Sequence, residues 1–178
     1  MKKLFLFSLL LALLSFCSAS TVRSMATGSI IDHTDATLVA TSINNIITSE
    51  NSAARLSSPA YNAGETIIPE LGPVYTSLTQ SGVTVHFKMW KGDLRDMDIR
   101  YDAANTAAAT DARRIMIATL TVAGMTENEI TELLSTPIDQ KDNDYLYSIT
   151  STAAQRGIMV NIEEKDANSR FRISAVTL

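Results

Sequence analysis

Beyond Cys17 the chain has no cysteine at all. Disulfides, thiolate zinc sites, cysteine nucleophiles and thiol redox chemistry are therefore excluded from everything downstream of that residue. Aromatic residues make up only 6 % of the chain and tryptophan occurs once, at Trp90, so an aromatic anchor for a partner has one obvious location. After residue 20 no run is long and apolar enough to cross a bilayer as a helix. Basic residues are outnumbered, and the net charge of −4 argues against nucleic acid or an anionic membrane as partner. Gly-rich phosphate loops and the G-x-S-x-G, H-E-x-x-H and calcium-loop signatures are missing, so no cofactor is expected. Asn-x-Ser/Thr sequons are missing too, which fits a bacterial source.

What is present begins with an export signal. Residues 1–20, MKKLFLFSLLLALLSFCSAS, combine two lysines, an apolar run and small residues at the end. Cleavage after Ala19 or Ser20 leaves thirteen basic against nineteen acidic residues, a net charge of −6. Leu14-Ser15-Phe16-Cys17 could alternatively be a lipid-attachment box, but bulky Phe16 before the cysteine runs against it. The expectation is a periplasmic or extracellular protein, with residues 21–34 a flexible lead-in and 35–178 a single α+β domain.

Two hairpins organise that domain. In the first, Val85, Phe87 and Met89 share one strand face, and Met97, Ile99 and Tyr101 share another. Pairing Phe87 with Met97 sets Val85 on Ile99, Lys88 on Asp96 and His86 on Asp98; a slip of one residue would oppose apolar to charged side chains. Continued to the tip, this register predicts a three-residue loop, Lys91-Gly92-Asp93, with Trp90 opposite Leu94. Gly92-Asp93 alone would suit a tight two-residue turn, but only with a bulge. The second hairpin pairs Ile162 with Phe171, Val160 with Ile173, Ile158 with Ala175 and Glu163 with Arg170. Together they predict a four-stranded antiparallel sheet (about 83–101 and 158–177) with helices packed on one face.

Helical spacing is found over 35–47, through Leu38, Val39, Ile43, Ile46 and Ile47, and from Tyr101 to about Ala123 with Gly124 as terminator. Thr126 to Glu129 forms a capping box for a short helix using Ile130 and Leu133. Two further helices are predicted, one on Leu71, Val74 and Leu78 after Pro69 and Pro73, the other on Leu146, Ile149 and Ala153. Residues 50–66 read as a loop. The segments Gln80–Phe87 and Gln155–Ile162 echo each other at a spacing of 75 residues. They are either two copies of a helix–strand–strand unit or the ordinary look of any helix that ends in glycine before a hairpin.

The site expectations follow from these faces. Trp90 and Leu94, rimmed by Lys88, Asp96 and Arg100 on the polar face, have the composition of a contact site for a protein partner. The alternative is that the 50–66 loop or a helix folds over the pair and buries it. His86 opposite Asp98 could be an oriented general base, which keeps a hydrolase open, yet no nucleophile or metal is in reach and a cross-strand ionic pair explains it. Asp32, His33 and Asp35 are possible metal ligands, but they sit where helix-start acids are wanted. The sequence thus favours a small exported binding or accessory protein over an enzyme, with a self-assembling envelope subunit or homo-oligomer as a third possibility.

Overall fold

In the computed structural model, residues 28–66 and 72–176 are described. The expected signal peptide, Cys17 and the helix-opening residues Pro69 and Leu71 lie outside them. The elements in chain order are α1 (Ala36–Ile46), β1 (Ala60–Tyr61), β2 (Val74–Leu78), β3 (Thr84–Trp90), β4 (Asp93–Tyr101), α2 (Thr106–Val122), α3 (Glu127–Leu133), β5 (Asp139–Lys141), β6 (Asp144–Ser151), β7 (Arg156–Glu163) and β8 (Ser169–Val176). The chain is α+β, as the patterning implied, but the four-stranded sheet is overturned. All eight strands form one antiparallel sheet in the order β1-β2-β3-β4-β8-β7-β6-β5.

The extra strands come largely from the segments read as helices. Val74–Leu78 is a strand paired with β3, and Asp144–Ser151 is a strand paired with β7. Val-Tyr-Thr-Ser-Leu and Tyr-Leu-Tyr-Ser-Ile-Thr-Ser are rich in β-branched and aromatic residues, which fit a pleated surface better than a short helix. A partner strand outside the segment decided what the helix-like spacing could not.

The central hairpin registers hold: Phe87 faces Met97, Lys88 faces Asp96, Ile162 faces Phe171 and Glu163 faces Arg170. Moving 75 residues along from β3 and 74 from β4 carries Phe87–Met97 onto Ile162–Phe171, and Lys88–Asp96 onto Glu163–Arg170. The two inner strands pair across the middle with Asp98 opposite Arg172, residues that the same displacement of 74 exchanges. The sheet is thus two four-stranded meanders, the first preceded by α1 and the second by α2 and α3, related by a local two-fold at Asp98–Arg172.

One face of the sheet is apolar and carries the helices. Val85, Phe87, Met97, Ile99, Ile158, Val160 and Ile173 are buried there with Val39, Ile43, Ile115, Met116 and Leu120 of α1 and α2. Helix starts are set by side chains: Asp35 accepts from the Leu38 N–H, and Asn105 from the Ala107 and Ala108 N–H groups. Thr126 and Glu129 form the expected capping box. The segment 28–34, expected as a flexible lead-in, is tied down. Ile30 is fully buried and its N–H donates to Leu94 O, while the Arg156 guanidinium donates to the carbonyls of Ser29 and Ile30.

Candidate binding face

Among the described residues no helix packs on the other sheet face. By alternation it displays Thr76, His86, Lys88 and Trp90 from β2–β3, and Asp96, Asp98 and Arg100 from β4. From β8, β7 and β6 come Arg170, Arg172 and Ser174, then Met159, Asn161 and Glu163, then Leu146, Ser148 and Thr150. Charges of opposite sign interleave. Arg172 Nε donates to Asp96 Oδ2 at 2.8 Å, and Arg100 reaches both Asp98 (2.9 Å) and Glu65 (2.9 Å). Arg170 and Lys165 both bind Glu163, and Asn161 donates to Asp144.

The hairpin tip differs from expectation in one decisive way. Lys91 (φ 51°) and Gly92 (φ 83°) make a two-residue turn of the type that suits a right-handed hairpin twist. Arg95 is the extra residue of a bulge, so that Met89 pairs with Leu94 and Trp90 with Asp93. The expected three-residue loop is thus replaced by a two-residue turn one position earlier than the Gly92-Asp93 signal, and the bulge preserves the face pattern of β3 and β4. Leu94 is consequently turned into the core, fully buried, and does not stand beside Trp90. Trp90 itself is half-buried on the helix-free face, with Lys91 Nζ 5.6 Å from its ring centroid, within cation–π range. On the opposite side of this turn lies a cleft of about 360 Å³ lined by Asp35, Pro73, Tyr75, Met89 and Lys91.

The remaining expected residues are placed as follows. Lys88 is exposed, Asp96 is buried under Arg172, and Arg100 is half-buried between two carboxylates. The 50–66 loop does fold over this face, but at His86 rather than at the tip. Asn62 Nδ2 donates to Thr76 Oγ1 (2.9 Å), and Glu65 pairs with Arg100. Gly72 presses against β3 so closely that a Cβ would sit 1.7 Å from Met89 O.

His86 pairs with Asp98 in register, but its ring is not oriented by it. Nδ1 lies 3.0 Å from Thr76 Oγ1. Asn62 donates to that same oxygen, so Thr76 links the imidazole to the overlying loop. Burial, followed by the nearby Arg100 charge, holds the His86 pKa below its usual value. Asp98 gives Oδ2 to Arg100, and its Oδ1 is buried without a hydrogen-bond partner among the described residues. Thr76 escaped the sequence reading because β2 was taken for a helix; the alternation Val74, Thr76, Leu78 was the available signal.

The metal candidates are dispersed over separate tasks. Asp32 binds Ser29 and Arg156, which hold its carboxyl below the usual range, while Asp35 caps α1 and the His33 N–H donates to Asp93. Among the described residues no three His, Cys, Asp or Glu side chains cluster as a metal site. Compared with known proteins, the chain matches no family model, no curated protein and no solved structure.

Proposed function

We propose that the protein is an exported binding protein that docks a protein partner on the helix-free face of its sheet, anchored at the Trp90 tip. The observation that carries this reading is Trp90: a half-buried indole beside exposed Lys88 and Lys91, on a rigid two-residue turn. An aromatic flanked by charge is the composition of an interface anchor with a polar rim. The paired charges of β4, β7 and β8 extend that rim and would set orientation and partner choice more than affinity. His86, held by Thr76, serves the packing of the loop on this reading.

Trp90 is the sole tryptophan and therefore its own reporter. The mature protein should retain one partner from its native envelope fraction and show a change in Trp90 emission when that partner is added. Trp90→Ala and Lys88→Glu should each weaken capture at least about tenfold, a typical anchor loss. Leu38→Ala, on the exposed side of α1, should leave capture unchanged. Capture that ignores Trp90 and Lys88, or that falls equally with Leu38→Ala, overturns the reading.

A further inference from the structure

The two outer edges of the sheet are treated differently by the chain. On the first, β2 is closed along its length: Asn62 N donates to Val74 O, Ser57 N donates to Leu78 O, and Ser57 Oγ accepts from Leu78 N. Strand β1 fills the middle. On the second, β5 covers only Asp144 to Leu146 of β6, and Ile138 N donates to Leu146 O. Successive strand residues point their backbone groups to opposite sides. The groups of Ser148 and Thr150 therefore point the same way as those of Leu146, past the end of β5, and meet no backbone partner among the described residues. Both residues are exposed, and Tyr147 and Ile149 between and beside them are only half-buried.

This gap lacks the usual protections of a free edge. Tyr145 to Ser151 contains no charge and no proline, and β-branched and aromatic residues fill it. Such an edge is also self-complementary. Placed antiparallel across a two-fold at Ile149, Ser148 of one chain exchanges both backbone hydrogen bonds with Thr150 of the other. Ile149 then meets its own copy on the helix side. An uncharged strand faces an uncharged strand, and the Glu129 carboxylate beyond its end is engaged by Ser151, Thr152 and Ala153 of its own chain. We infer that β6 pairs with β6 of a second copy through Ser148–Thr150, making a weak dimer with one sheet continuous across both chains.

Sedimentation or light scattering of the mature protein across a wide concentration range tests this. The expected result is a reversible monomer–dimer equilibrium that is nearly insensitive to salt. Association through the charged open face would weaken steeply with salt. Ser148→Pro removes an N–H that points outward, so the β6–β7 ladder survives while the dimer dissociation constant rises at least about tenfold. Should the proline variant fail to fold, Ser148→Lys with Thr150→Lys sets like charges across the seam and should abolish dimerisation with unchanged circular dichroism. A wild-type monomer at all concentrations overturns the inference, as does a dimer that persists in a folded edge variant or dissolves in salt.

Discussion

The two halves share a plan and differ in how firmly it is finished. In the first, the β3 core position is Phe87, fully buried, and the outer strand is sealed by residues 55–66. In the second, the equivalent of Phe87 is Ile162, only half-buried, at a cleft of about 240 Å³ shared with Arg113, Tyr145, Tyr147 and Glu164. The pairing matches throughout, outer strands included: Tyr75–Phe87 of β2–β3 corresponds to Tyr145–Ile162 of β6–β7, and Ala60–Thr76 to Asp139–Leu146, while the outer strands differ in length and in their flanking loops. What is preserved between the copies is what the shared apolar layer enforces. What diverges is the periphery, where loops of unrelated length and chemistry close one edge and leave the other short.

The largest test of that contrast is in the core. Phe87→Ala should cost about 3–5 kcal/mol, the range for a fully enclosed aromatic. Ile162→Ala should cost roughly half as much or less, because part of its side chain already meets solvent. Urea unfolding of both variants measures the difference, and equal losses would mean that the halves are equally packed.

Next comes the seal on the first edge. Asn44 of α1 accepts from Leu56 N (2.8 Å) and donates to Leu56 O (2.9 Å), fastening the long loop beneath β2. Asn44→Ala leaves both half-buried backbone groups without that partner and should cost about 1–3 kcal/mol. Protease cleavage within 50–60 should accelerate, while the β5–β6 region stays as resistant as before.

How much of this was legible follows the same division. The pairing of Phe87 with Met97 and of Ile162 with Phe171 could be read because both strands of each hairpin have one strictly apolar face. The Thr126–Glu129 box was legible because capping chemistry is local. The outer strands were not, since an edge strand mixes its faces. Val74 is buried and Leu78 exposed on the same side of β2, and Leu146, Ser148 and Thr150 carry no clean alternation against Tyr145 and Tyr147. Local spacing at three and four residues then imitates a helix. The tip was half legible: the strand faces could be read, but the turn falls at Lys91-Gly92, and the bulge at Arg95 takes up the residue that the expected three-residue loop had absorbed. Leu94 was lost from the expected contact site for that reason alone.

Acid sensitivity separates the halves more gently. The carboxylate of Glu129 accepts from the N–H groups of Thr126, Thr152 and Ala153, which hold its pKa down to about 2. The folded value lies below the unfolded one, so its contribution is complete above about 4.5 and is lost as pH falls towards 2. Glu129→Gln should flatten the stability profile in that window. His86 adds a second window in the first half only, because its equivalent position 75 residues on is Asn161. With the folded pKa below 6.5, neutral His86 stabilises above that pH and the contribution fades as pH falls through the folded value. His86→Asn should remove this upper window while leaving the Glu129 window untouched, as denaturant midpoints between pH 7 and pH 2 would show.

The smallest expected effect compares two turns. Lys91 (φ 51°) and Asp142 (φ 52°) both hold the left-handed conformation in two-residue connections. Aspartate tolerates it through local hydrogen bonding, whereas lysine has no such compensation. Lys91→Asn should therefore recover a few tenths of a kcal/mol of turn strain. It also removes the cation over Trp90, a contact worth about 0.5–1 kcal/mol at an exposed site. The two effects oppose, and the net change should stay within about 0.5 kcal/mol. Partner capture behaves differently, because turn strain is absent from the binding equilibrium while the charge beside the indole is not. If Lys91→Asn leaves stability level but weakens capture, the lysine at this turn is kept for the tip's surface rather than for its fold; a loss of more than about 1 kcal/mol in stability with capture intact would assign it to the hairpin instead.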